Sequence, residues 1–286
     1  MVKINTVLSL FDGISCGQVA LGRAGIPYMS YYASEIDKYA IQVTQCNHPN
    51  TIQLGDVRLI DSASLPPINL LLGGSPCQSF STAGSNTGFN GKSGLFYEYV
   101  RLLKECNPEY FLFENVRMKK EWQDIISLEL GVEPVKINSN LFSAQNRERF
   151  YWTNIPITPI IDKKIYIEDV LEASPNDKYW LKDANVNLLL KKISLENAPD
   201  LACIDVYNRK IKQDRKSPTL SLPNHNSIRV LQYGRIRKLT PQECEKLQTL
   251  PNFYTDCGIS DTQRYTTIGN GWTVDAIAHI LRGIIY

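Results

Sequence analysis

The sequence lacks the features that mark several large classes of protein. No apolar run approaches the length needed to span a bilayer, which argues against a membrane-embedded helix. The first residues, Met1-Val2-Lys3-Ile4-Asn5-Thr6, have no signal-peptide layout, so the expected compartment is the cytoplasm. Seven cysteines, an odd number with no Cys-x-x-Cys pair, argue against a disulfide framework or a zinc site. With three scattered histidines, no metal centre is expected. The phosphate-cradling Gly-x-Gly-x-x-Gly is also missing, since the first turn offers only Gly13 and Gly17. What remains is an ordinary globular composition: 286 residues, 43% hydrophobic and 21% charged, enough for one substantial core and a small second lobe.

The formal net charge of +2 says little by itself, because a local patch can hide in a balanced average. Between Arg209 and Lys238 the bases Arg209, Lys210, Lys212, Arg215, Lys216, Arg229, Arg235, Arg237 and Lys238 face a lone acid, Asp214. A solvated face is the usual reading of such a run. Interleaving with Tyr207, Asn224, His225, Asn226 and Tyr233 favours contacts to phosphates and bases.

The most informative stretch is Leu70 to Ser81, a short apolar run ended by Gly73, Gly74 and Pro76. That punctuation puts Cys77 on a loop beyond a buried strand, where open α/β sheets keep their chemistry. On this stretch alone, a nucleophile and an inert thiol are equally good readings. The segment Phe80 to Gly94, rich in glycine and small polar residues, reads as a lid over bound substrate.

Around that stretch the chain alternates strands and helices. Asn5–Phe11 reads as a strand, with a helix through Val19 and Leu21 to Gly25. Tyr28–Ser34 is a second strand ending at Glu35, and a helix from Lys38 to Cys46 is capped by Asp37. Glu35 stands about twenty residues beyond the first turn, where a strand-end carboxylate can accept ribose hydroxyls. Thr51–Leu54 is a third strand leading to Asp56, which suits either an adenine amino group or a simple turn. Leu95–Leu103 and Lys119–Leu130 are helical in period, and Glu109–Phe113 is a strand closing on Glu114. Val132–Asn138 follows as another strand. Arg147 and Arg149 alternate in strand phase and so emerge on one face, as a salt-bridged structural pair or as a fork for phosphate and carbonyl oxygens. The pattern loosens from Pro156 to Arg235, with a helix at Asn185–Ile193 and an extended segment Ser217–Pro223. It tightens at the capping box Thr240-Pro241-Gln242-Glu243. Tyr265–Ile268 reads as a last strand and Val274–Leu281 as a last helix. These expectations make a doubly wound, mostly parallel α/β sheet with a small lobe. Residues 1–156 form the sheet domain, 157–236 the lobe, and 237–286 a segment returning to the sheet.

The set of motifs resembles the DNA (cytosine-5) methyltransferase family over nearly the whole chain apart from the lobe. The matching pieces, in order, are Phe11-Asp12-Gly13, Ser34-Glu35-Ile36, Gly55-Asp56-Val57, Gly74-Ser75-Pro76-Cys77-Gln78, Phe113-Glu114-Asn115-Val116, Gln145-x-Arg147-x-Arg149, the Arg237–Pro251 region and Gly269-Asn270. Each is modest alone and together they are specific. The chain departs from the family at Gly269-Asn270-Gly271-Trp272, where Gly-Asn-Ser-Val is usual, and at Asp12, where many bacterial members have alanine.

The resemblance implies the class I fold that binds S-adenosylmethionine. Phe11 would pack on adenine, Asp12, Gly13 and Ile14 would lie along the methionine, Glu35 and Ile36 would meet the ribose, and Asp56 and Val57 the adenine. Pro76, Leu95, Asn270 and Trp272 would complete the cofactor site. Cys77 would add to carbon 6 of a cytosine swung out of double-stranded DNA, since carbon 5 is too electron-poor to attack a methyl group unaided. A thiol of pKa about 8.5 needs help to ionise at neutral pH. Glu114 would act at ring nitrogen 3, and Arg149, assisted by Arg147, at the carbonyl oxygen and a phosphate. Gln78, Ser81, Thr219, Leu220, Arg229 and Arg235 would face DNA. The base that removes the carbon 5 proton is not identified by residue type, and water is the simplest candidate. The resemblance further implies a bacterial or phage modification enzyme, monomeric, with no obligate protein partner; it leaves a cognate restriction endonuclease open. The alternatives are a transfer RNA cytosine methyltransferase on the same fold, against which Gln78 speaks, and an inactive DNA-binding family member.

Overall fold

The computed structural model describes residues 4–76, 94–220 and 227–285, so Cys77, Gln78, Ser81, the expected lid and Ser221 to Asn226 lie outside the described residues. The chain divides into two compact units. One comprises the residues up to Ile137, Glu148–Pro159 and Val274 onward; the other is Asn138–Arg147 with Ile160–Thr273.

In the first unit the elements run β1 (Thr6–Leu10), α1 (Cys16–Ala24), β2 (Ser30–Ser34), α2 (Lys38–Asn47), β3 (Ile52–Gln53), β4 (Leu70–Gly73), α3 (Leu95–Cys106), β5 (Tyr110–Val116), α4 (Lys120–Leu130), β6 (Val135–Asn138, its last residue counted with the second unit) and β7 (Glu148–Thr153). Punctuation sets the boundaries. Asp37 caps α2 by accepting from the amides of Tyr39 at 2.8 Å and Ala40 at 3.4 Å, and Gly25 and Gly131 end α1 and α4 in the left-handed conformation. The strands order as β3-β2-β1-β4-β5-β7-β6, with β1 paired in parallel to both β2 and β4 and β7 antiparallel to β5. Every residue of β1 is buried, as a central parallel strand covered on both faces requires.

One face carries a core in which Phe96 and Tyr99 of α3 and Ile126 and Leu130 of α4 meet Leu8, Leu71, Phe111, Phe113 and Trp152. Each such side chain contributes about 1.5–3 kcal/mol on burial. α1 lies on the other face at close range: a Cβ at Gly17 would stand 2.9 Å from a methyl of Leu72. Strand order reverses between β2 and β4 around β1, so the carboxyl ends of these strands form the switch point where open α/β sheets bind ligands.

The second unit holds α5 (Asp183–Leu190), β8 (Ala202–Asp205), β9 (Lys210–Ile211), β10 (Ile228–Gln232), β11 (Arg235–Lys238), α6 (Pro241–Leu247) and α7 (Asp261–Asn270), after which α8 (Val274–Leu281) belongs to the first unit and packs on α1. Its antiparallel sheet, β11-β10-β8-β9, covers a small core of Leu189, Ile193, Ile204, Leu231 and Ile236. Tyr233 and Gly234, both at positive φ, make the tight turn between β10 and β11.

Two expectations are corrected. Tyr265–Ile268 is helical, because the Ser260 and Gln263 capping box starts a helix upstream of it and overrides the local β-branched residues. The chain also returns to the first unit only at Val274, not at 237. The reason is a buried polar network: Gln248 donates to the carbonyls of Ile268 and Gly271, both at 3.0 Å, and Thr273 donates to Gln248 at 2.9 Å.

Candidate active site

At the carboxyl end of β1 the chain makes a loop with Phe11, Gly13 and Ser15 all in the left-handed region, at φ 57°, 58° and 55°. For Phe11 and Ser15 this costs about 1–2 kcal/mol each, and such strain collects at functional loops. Phe11 is half-buried and packs on the core, and Ile14 is fully buried. Asp12 is buried too; its carboxylate accepts from the hydroxyls of Ser15 and, at 2.7 Å, Tyr31. Burial raises its pKa to about 6; hydroxyls of Ser15, Ser9 and Tyr31 pull it down, and the Glu35 charge adds to the rise.

Glu35 follows β2 directly. One carboxylate oxygen accepts from the amide of Gly13 at 2.8 Å, and the other from those of Ile36 at 2.7 Å and Asp37 at 2.9 Å. An ionised carboxylate has about four acceptor positions, so capacity remains for a hydroxyl. Ile36 is 74% exposed beside it. Asp56 caps the short turn Val57–Leu59 by accepting from the Arg58 amide at 3.0 Å, and its carboxylate pairs with the Arg58 guanidinium at 2.5 Å. The Arg58 bonds hold its pKa down at about 2. Of the two readings of Asp56, the turn is thus realised, and Val57 is buried behind it.

Further along the same sheet edge, β4 ends in Gly73 and leads through Gly74, Ser75 and Pro76 toward Cys77. A Cβ at Gly73 would stand 2.7 Å from the Tyr99 ring, so only glycine lets α3 lie this close. Asn115 anchors the exit, its amide donating to the Ser75 carbonyl at 3.4 Å and hydroxyl at 3.3 Å. Glu114, 9% exposed, is the residue before it. The β5–β7 register sets Glu114 opposite Tyr151 and Val116 opposite Arg149, so Glu114 and Arg149 are diagonal neighbours on one face. The Arg149 Nε donates to Glu114 at 2.8 Å. Leu95, half-buried at the start of α3, packs on the core nearby in the chain.

Arg147 does not share that face. It precedes β7, belongs to the second unit, and donates to the carbonyls of Leu220 at 2.9 Å, Gly269 at 3.3 Å and Gly271 at 3.0 Å. The expected common fork is therefore corrected: the strand begins one residue too late to present both arginines. Asn270 ends α7 exposed, and Trp272 follows, half-buried, in the second unit.

The expected DNA-facing residues separate. Thr219 is half-buried with its hydroxyl on the Asn146 carbonyl at 2.6 Å, and Leu220 is buried with its amide on Gln145 at 2.8 Å. Arg229 is half-buried, with burial lowering its pKa, whereas Arg235 is exposed and stacks its guanidinium 4.3 Å from the Trp180 ring centroid.

Sequence reasoning missed Tyr31, Ser75 and Arg101. Arg101 donates to the carbonyls of Val57 and Ile60, both at 3.2 Å, and so fixes the loop beyond Asp56. No local signal marks these residues; only strand order and helix placement bring them to the sheet edge.

The donor set fits S-adenosylmethionine. The Glu35 carboxylate beyond β2 would repel a pyrophosphate but suits a ligand with a ribose diol and positive charge, and the first turn lacks the glycine pattern of a phosphate cradle. Among the described residues no helix is long and apolar enough to cross a membrane.

Comparison with known proteins bears on the same reading. The chain is 38% identical over 232 residues to the orphan methyltransferase M.Rho11sI of Bacillus phage rho11s, covering 72% of this chain and 42% of that protein. It is 29% identical over 299 residues to the type II methyltransferase M.NlaX of Neisseria lactamica, covering 96% and 94%. The chain spans about half the length of the phage relatives it matches. In fold it is similar to the Entamoeba histolytica methyltransferase EhMeth, with a TM-score of 0.74 at 18% identity over 99% of this chain and 98% of that one. The family model for C-5 cytosine-specific DNA methylase matches residues 5–286, and the chain belongs to that family.

Proposed function

We propose that the chain methylates carbon 5 of cytosine in double-stranded DNA, as a bacterial or phage modification enzyme. The observation that carries this reading is the Glu114–Arg149 pair at 2.8 Å, on the strand next to the one that runs through Ser75 and Pro76 into Cys77. Bound S-adenosylmethionine supplies the methyl group. Every other step falls to this chain's residues. The Cys77 thiolate adds to carbon 6 of the cytosine and pushes electrons toward carbon 5. Glu114 meets ring nitrogen 3, where charge builds as the thiolate adds, and Arg149 orients Glu114 and reaches the carbonyl oxygen. After methyl transfer the carbon 5 proton leaves to water, the electron pair returns to the ring, and Cys77 departs as thiolate. A stacked base cannot enter such a site, so the cytosine is turned out of the duplex, at a cost of about a few kcal/mol that contacts to the DNA offset.

Glu35 takes the ribose hydroxyls, the Phe11–Ser15 loop the methionine portion, and Val57 the side of the adenine, with Asn270 and Trp272 contributing to the cofactor. Arg235 and its exposed neighbours contact phosphates. The enzyme works as a cytoplasmic monomer. The test is methyl incorporation from labelled S-adenosylmethionine into duplex DNA and into RNA of matching sequence, with bisulfite sequencing of the DNA product. Methylated cytosines at a defined duplex site are expected; incorporation into RNA alone, or none while the cofactor is bound, would overturn the proposal.

A further inference from the structure

Beneath the Phe11–Ser15 loop lies a set of buried polar side chains that the chemistry above leaves unused. Asp12 holds the centre, with one oxygen on the Tyr31 hydroxyl at 2.7 Å and the other on Ser15. Ser15 accepts from the Gln18 amide at 3.1 Å, which also donates to Thr51 at 2.7 Å, while the Gln18 oxygen accepts from Tyr28 at 2.7 Å. Thr44 reaches over from α2 to the Gly13 carbonyl and to Ser15, both at 3.3 Å. Asp12, Ser15, Gln18, Tyr31, Thr44 and Thr51 are all buried.

The network is built to bring one hydroxyl to one carboxylate. Tyr31 passes beneath α1 at Gly17, where a Cβ would stand 2.6 Å from its oxygen, so a side chain there would displace the donor. Asp12 directs its carboxylate inward while its own amide donates to the Ser34 carbonyl at 3.0 Å, and the Gly13 amide is held by Glu35. The loop is thus pinned from below by Tyr31 and from its flank by Glu35.

We propose that Tyr31 is a positioning residue for the cofactor: through Asp12 it holds the Phe11–Ser15 loop in the left-handed shape that presents it to S-adenosylmethionine. This rests on the function proposed above. The titratable groups acting on Asp12 are Tyr28 before β2, Tyr31 on it and Glu35 after it, and Ser9 of β1, Ser15 and Gln18 of the α1 side and Thr44 of α2 complete its polar surroundings. With Asp12 at about 6, its charge changes just below neutrality. Protonation turns one acceptor position into an O–H donor, so one of the two hydroxyls has to turn from donating to accepting.

The experiment is calorimetric titration of S-adenosylmethionine into the wild type, Tyr31→Phe and Asp12→Asn between about pH 5 and pH 8. Wild-type affinity is expected to hold above about pH 6.5 and to fall by up to about tenfold per pH unit below about 6. Tyr31→Phe removes a hydrogen bond to the charged form, so the fall should begin at higher pH, with affinity at pH 7 lower by about tenfold. Asp12→Asn should abolish the pH dependence, which separates Asp12 from Glu35. A Tyr31→Phe profile superimposable on the wild type, or an Asp12→Asn profile that keeps its fall, overturns the proposal. A wild type that binds no cofactor at pH 7.5 overturns the functional reading instead. In that case carboxyl-carbon NMR of the ligand-free chain still decides, since an Asp12 titration unmoved by Tyr31→Phe removes the positioning role.

Discussion

The carboxyl edge of the first unit's sheet and the basic stretch of the second use charge in opposite ways. At the sheet edge, Glu35 and Asp56 stand just beyond strand ends, and the nearly buried Glu114 and Arg149 lie within β5 and β7, each with partners that orient it. In the basic stretch two of the nine charges, Lys216 and Arg237, turn inward. Arg237, fully buried, forms a two-bond pair with Glu243 at 2.8 and 2.6 Å, and Lys216 donates to the carbonyls of Asn140 at 2.8 Å, Ser143 at 3.0 Å and Ile165 at 2.5 Å. Arg215 pairs with Glu168 and Lys212 with Asp214. Arg209, Lys210, Arg215 and Arg235 remain exposed. A tally of bases along the chain therefore overstates the field that DNA would meet, because Glu168, Asp214 and Glu243 each pair with one of them and Lys216 is held by carbonyls.

Five substitutions, in four tests, probe this contrast. The largest effect is expected at Cys77, next in sequence after Pro76: Cys77→Ala should lower methyl transfer by about 10⁴-fold or more while leaving cofactor affinity near normal, checked by turnover and calorimetry. Retained turnover would remove the chemistry from this edge altogether. Next is Glu243→Gln in the second unit, which strands the buried Arg237 charge and should cost about 3–5 kcal/mol in denaturant unfolding. A loss under 1 kcal/mol would mean that the pair is not desolvated.

Asp12 gives a smaller effect with a defined pH signature. Its pKa is raised from 3.8 to about 6 in the folded chain, so the folded state holds the proton over a range where the unfolded chain has released it. Wild-type stability therefore falls as pH rises from about 4 to about 6 and stays lower above that. Asp12→Asn should be more stable than wild type by up to about 3 kcal/mol at pH 8, the gain vanishing near pH 4. A variant equally less stable at both pH values would contradict the burial cost. The smallest effect separates exposed from buried bases. Arg235→Ala should reduce the salt dependence of DNA affinity by a slope of about 1, whereas Lys216→Met should leave the slope unchanged.

The first unit, and the start of α6 in the second, were largely legible from local pattern. The apolar run Leu70–Leu72, the glycines at 73 and 74, the Asp37 cap and the Thr240–Glu243 box each act within a few residues, so their spacing translates directly into strand, turn and helix. Tyr265–Ile268 failed because its helix is started by Ser260, outside the window that looks extended. Arg147 failed for a related reason: strand alternation held only from Glu148 onward, and the three carbonyls Arg147 meets lie more than seventy residues away along the chain. Among site residues, Glu114 and Arg149 were both named in advance, but that they form an ion pair follows from an antiparallel register which spacing does not specify.

By itself the sequence determined the succession of strands and helices, the strand-end positions of the acids, and the family to which the motif set belongs, since all three are written in short contiguous stretches. Tertiary structure alone decided which charges stay accessible, which cations are neutralised, and that a tyrosine of β2 would bond an aspartate beyond β1. Those outcomes depend on partners that local spacing in the sequence does not pair, and only the packing of sheet and helices brings such partners within the few ångströms over which hydrogen bonds and desolvation act.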